Sequence, residues 1–234
     1  MRTTRYLTAC FAAGSILLLG SSASAATILH TLDVHFGAEL SSGFLTAEYD
    51  DTVCGPDCVQ LTFDSNDLSL STEFVNDWWI NYVNAGGATL DELIIIYVSG
   101  DVTTPVTIVK SLDGLNADGD GNFDIKFDFV PPVIPPGPGN NFDINEIVVF
   151  YISGTGITAA DFDYFSVQNG GQGEYLSAAH IGGTCAGAPA GGPACTDNDD
   201  GSDFVGAVPE PGSVLLFATG LLVAGGLIRR DRRR

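Results

Sequence analysis

"NFDIKFDFV", residues 122–130, decides the fold. Phe123, Ile125, Phe127 and Phe129 alternate with Asp124, Lys126 and Asp128. A period of two sends the four apolar side chains to one face of a strand and the three charges to the other. A helix would scatter the same residues around its axis. Antiparallel sheets, with one face covered and one wetted, produce this alternation.

The same period recurs along the chain. In "ILHTLDVHF" (28–36) it aligns Ile28, Leu32, Val34 and Phe36, in "VQLTF" (59–63) Val59, Leu61 and Phe63, and in "TPVTIVKSL" (104–112) Val106 and Ile108. Two further segments, "ELIIIYVSG" (92–100) and "EIVVFYISG" (146–154), are apolar on both faces and agree in Glu, Tyr, Ser and Gly at matching positions. Their pattern predicts equivalent central strands, related by an internal duplication or by shared composition alone. Clusters of Gly, Pro, Asn and Asp separate about ten such strands, which predicts an all-β fold, an antiparallel β-sandwich of jelly-roll type spanning residues 26–181. "VPPVIPPGPGNN" (130–141) is too proline-rich for a strand and reads as a long connection. The Gly-, Ala- and Asp-rich stretch 182–207 reads as a linker.

The formal net charge of the 234-residue chain is −20. Residues 26–208 are more acidic still, because Lys110 and Lys126 are their only Lys or Arg residues, and removing Glu210 and Asp231 from the 29 acids leaves 27 to oppose them, a charge of −25. So negative a surface repels phosphate backbones, which argues against a nucleic-acid partner and in favour of divalent cations.

Both ends carry targeting signals. Residues 1–25 open with Arg2 and Arg5, continue through an apolar run and close on Ala23-Ser24-Ala25, the small-x-small pattern that signal peptidase accepts. At the other end, Pro209-Glu210-Pro211 is followed by a charge-free run, 213–228, and by Arg229, Arg230, Arg232, Arg233 and Arg234. As a helix that run is about 24 Å long, slightly short of a bilayer core of about 30 Å, and the arginines leave its end cytoplasmic. These residues, 208–234, resemble the PEP-CTERM sorting signal of Gram-negative bacteria. The resemblance implies recognition by an exosortase, transient residence in the inner membrane as a C-terminal transmembrane helix, removal of the tail, and delivery to the cell surface or exopolysaccharide matrix.

Export turns the cysteines left after cleavage into a disulfide question. Pairing Cys54 with Cys58 and Cys185 with Cys195 closes two short loops; a crossed pairing stays open.

"NADGDGNFD" (116–124) offers Asn116, Asp118, Asp120, Asn122 and Asp124 at alternate positions with a glycine for the bend, as the first nine positions of a calcium loop do. Phe127 occupies the place of the closing Glu, so the spacing points to a weak calcium-binding turn between strands, or to a solvated acidic hairpin. Trp78 and Trp79 are adjacent and point to opposite faces of a strand. One belongs to the core; the other is a candidate platform for a sugar ring. His30, His35 and His180 are scattered and read as structural. None of the common catalytic motifs occurs, no catalytic residue is assigned, and a non-enzymatic surface or matrix protein is the expected class. The alternatives are a carbohydrate-binding module and a secreted glycosidase, the latter needing two carboxylates facing each other across a cleft.

Overall fold

The computed structural model describes residues 26–36, 44–68, 72–100, 102, 106–129, 141–170, 173–184 and 201–208. The expected signal peptide, the 213–228 span, the Pro-Glu-Pro and arginine residues, Cys185 and Cys195 lie outside them.

Eleven strands form one sheet: β1 Thr27–His35, β2 Leu45–Asp50, β3 Cys58–Asp64, β4 Phe74–Ile80, β5 Ile94–Gly100, β6 Thr107–Ala117, β7 Asp120–Asp128, β8 Phe142–Asp143, β9 Ile147–Ser153, β10 Ser177–Thr184 and β11 Gly201–Ala207. Their order is β5-β9-β3-β2-β1-β11-β10-β4-β7-β6, with β8 beside β4. The pairings along this order are antiparallel. The all-β, antiparallel expectation is met, and the two layers are halves of a single curled sheet.

Aromatic contacts show the curl. Phe63 of β3 stacks on Trp78 of β4 with centroids 4.3 Å apart, although four strands separate β3 from β4 in the order. Phe127 of β7 lies 4.8 Å from Phe150 of β9. Each phenyl ring removed from water contributes about 2–3 kcal/mol, so this cluster is a large part of what holds the halves together. In the opening stretch Ile125, Phe127 and Phe129 face the main core as the period requires, while Phe123 is buried elsewhere. Phe123 belongs to a second cluster on the outer face, with Phe36, Trp79, Ala117, Tyr175 and Ala178.

The structure departs from the sequence reading in two places. Gly201–Ala207, inside the expected linker, is strand β11, which pairs with β1 on one side and β10 on the other. Val205 and Ala207 face the main core, so the β domain runs to residue 207. The segments read as equivalent central strands are not equivalent either. β9 is interior, whereas among the described residues β5 pairs with β9 alone and ends the sheet, with most of its side chains exposed. Apolar residues on both faces show what a strand could bury; topology decides what it does bury.

Candidate functional site

The 116–124 stretch folds as the tip of the β6–β7 hairpin. Asp118 and Gly119 take φ of 49° and 83°, the two left-handed positions of a two-residue hairpin turn for which Asp-Gly is favoured. Gly121, at φ 76°, is the extra residue of a bulge between the Asn116–Asn122 and Ala117–Asp120 pairs. Several of the candidate oxygens serve this backbone. Asn116 Oδ1 accepts the Gly119 N–H at 2.5 Å, while Asp124 Oδ2 and Oδ1 accept the N–H groups of Tyr82 and Asp113 at 2.9 and 2.7 Å. Burial pushes the Asp124 carboxyl above the usual carboxylate range, against the opposing pull of those two N–H groups. Asn116 and Asp124 are thus engaged by backbone N–H groups of the turn and its surroundings. Among the described residues, no group of three or more His, Cys, Asp or Glu is arranged to hold a metal.

The hairpin tip supports a loop that the sequence did not single out. Gly121 N–H donates to Asn169 O, Asn122 and Val167 exchange backbone hydrogen bonds, and Gly170 lies so close to the turn that a Cβ there would meet Gly119 O at 1.6 Å. From inside, Asn81 Nδ2 reaches the carbonyls of Tyr164, Tyr175 and Leu176 at 2.9–3.0 Å. The loop holds two adjacent exposed aromatics, Tyr164 and Phe165. The only sequence signal was "DYF" in a stretch with no strand period.

The tryptophans correct the platform expectation, because both are buried. Trp78 lies in the main core, donating its indole N–H to Ser177 Oγ at 2.8 Å, and Ser177 donates to Trp79 O. Trp79 faces outward but is covered by the second cluster, so neither ring is presented to a sugar. Beside Trp79 is a charged row. Lys126 Nζ lies 2.7 Å from Asp77 Oδ1 and 5.4 Å from the Trp79 ring centre; His180 Nδ1 lies 3.5 Å from Asp77 Oδ2, and its ring stacks on Phe204 at 4.3 Å. Burial alone would raise Asp77, yet the hydrogen bonds and charges of His180 and Lys126 hold its carboxyl below the ordinary range.

Cys54 and Cys58 form a disulfide with Cα atoms 5.6 Å apart. It borders a cleft of about 730 Å³ whose carboxylates are Asp57 and Glu92. Both act as caps: Asp57 Oδ1 accepts the Gly156 N–H at 2.6 Å, and Glu92 Oε2 accepts the N–H and hydroxyl of Thr89 at 2.8 and 2.9 Å. The Thr89 bonds hold Glu92 below its usual range, the opposite of the raised value a general acid needs.

The sorting resemblance is confirmed over the end of the chain. Residues 207–234 match the family model of the PEP-CTERM protein-sorting motif. The chain is thus an exported, exosortase-targeted protein whose motif begins on the last residue of β11. No curated protein and no solved structure matches the chain.

Proposed function

We propose that the exported β domain is a structural or adhesive component of the cell surface or of its exopolysaccharide matrix, in a Gram-negative bacterium. The PEP-CTERM motif carries this reading, since it implies exosortase as the processing partner and the surface as the destination. The domain suits the role in three ways. Polar side chains such as Asn81, Asp124 and Ser177 serve the fold, its acidic surface disfavours anionic polymers of the nucleic-acid kind, and the aromatic pair Tyr164–Phe165 stands exposed on a braced loop. Signal peptidase acts at residue 25 in this scheme, and any calcium at the 116–124 turn acts as a weak stabiliser of the hairpin.

The test is the mass and cell fraction of the protein in its native cell. Loss of the tail and recovery from the surface are expected. A Pro209→Ala, Glu210→Ala, Pro211→Ala triple variant should keep the tail and stay in the inner membrane. If the native protein itself sits there intact, the proposal fails.

A further inference from the structure

His30 is a buried ionisable side chain that the fold leaves half bonded. Its side chain is 1% exposed, and its Nε2 lies 3.3 Å from Oδ1 of Asp163, whose own side chain is 49% exposed. Its Nδ1 has no hydrogen-bond partner. Alternation along β1 turns His30 inward with Leu32, and its ring lies 5.0 Å from that of Tyr49 on β2. Against these rings packs the short helical turn Ala159–Phe162, whose Phe162 stacks on Tyr49 at 5.0 Å and which Asp163 follows directly.

The site accommodates the two protonation states unequally. A neutral ring donates its Nε2–H to Asp163 and leaves Nδ1 as an acceptor with nothing to accept. The imidazolium instead carries a second N–H at Nδ1, aimed into the interior, and a buried charge with an unpaired donor costs more than an idle lone pair. Asp163 offsets part of that cost, but water around its exposed half screens the attraction. Burial therefore pushes the His30 pKa below its ordinary value, against the opposing pull of Asp163. Other titratable groups on the surrounding elements do not make up the difference. Asp161 Oδ2 accepts the N–H and hydroxyl of Thr158, burial holds the Tyr49 hydroxyl neutral, and Glu48 and Asp50 alternate to the other face of β2. On β1 itself Asp33 is exposed and His35 bonds Asp203, while His180 of β10 pairs with Asp77 in the charged row beside Trp79.

The folded state thus binds the His30 proton less readily than the unfolded chain, in which histidine titrates near about 6.5. The stability is intact above that value and declines as pH falls below it. The path from the ring to water runs past half-exposed Asp163, so the neighbouring turn is what has to move. Two contacts tie that turn down: Ala159 N–H donates to Asp51 Oδ2 at 3.1 Å, and Val83 N–H donates to Asp161 O at 2.8 Å. We propose that His30 is an acid-sensitive latch, which on protonation releases the turn Ala159–Phe162 while the strands stay paired. The inference stands on the fold alone and is independent of the sorting proposal.

The experiment takes two readings by NMR on the chain recovered with its ends as processed. One is the titration midpoint of the His30 ring; the other is the hydrogen-exchange protection of the Ala159 and Val83 amides, corrected for the intrinsic pH dependence of exchange. A midpoint below about 6.5 is expected, with protection at both amides falling at least about threefold between about pH 7.5 and 5 while β7 amides keep theirs. His30→Gln, which can still donate to Asp163 but does not titrate, should abolish the fall. If that variant misfolds, Asp163→Asn replaces it and should move the His30 midpoint further down; a midpoint that stays or rises overturns the proposal. So does a midpoint in the native chain at or above the ordinary value, a fall in protection that His30→Gln retains, or one that β7 shares equally.

Discussion

Asp77 takes its properties from its neighbours. Lys126 and His180 hold the carboxyl below its ordinary range, so the folded state binds the proton less readily than the unfolded chain does. The stabilisation is therefore present above the unfolded value, about 3.9, and is lost as pH falls through the folded one. Asp77→Asn should cost about 1–2 kcal/mol at pH 7 and progressively less as pH falls below the unfolded value, read from denaturant midpoints across that range. A cost that stays constant with pH would show that the shape of the side chain matters and its charge does not. The row containing Asp77 was not legible in the sequence, because Asp77, Lys126 and His180 come from three strands that only the pairing brings together. Trp79 hid for a related reason. Alternation sends it outward, but Phe36 and Tyr175 from distant positions form a second apolar cluster there, and periodicity describes one strand at a time.

β11 shows the same limit for a whole element. "GSDFVGA" has two glycines, an acid and no clean alternation, so composition marks it as a connector. It is strand because β1 and β10 each leave an edge that it satisfies, a case of context overriding propensity. Val205→Asp is the discriminating substitution. Val205 is fully buried against the main core, and an unpaired carboxylate there should cost at least about 3 kcal/mol, which lowers the melting temperature by about 10 °C for a domain this size. A connector would tolerate the change within about 2 °C. By contrast, β3 and β7 were readable almost residue by residue: Val59, Leu61 and Phe63 are buried in β3, and Ile125 and Phe127 in β7. Their alternation is strong because one face of each packs into the main core while the other is partly exposed. β5 was misjudged because its composition matches that of β9, while its place at the end of the order exposes what β9 covers.

Across the molecule the dominant physical fact is charge. With 27 acids against two lysines in residues 26–208, any dissolved cation stabilises the fold by screening, so a calcium effect has meaning only against a control. If the hairpin tip holds calcium, millimolar calcium should raise the melting temperature by several degrees above sodium chloride of equal ionic strength, and Asp118→Ser should abolish the excess. Equal curves in the two salts would end the calcium reading. The address was the most legible part of the chain, because a sorting signal is read from linear sequence, whereas a binding surface exists only after folding. Those two kinds of information meet at residue 207. A ribosome makes β1 first and β11 last, yet these strands are hydrogen-bonded neighbours in the middle of the sheet. Until the final seven residues of the domain emerge, the flanking strands β1 and β10 have no partner on that side. Completion of the fold therefore waits for β11, the strand on which the sorting motif begins.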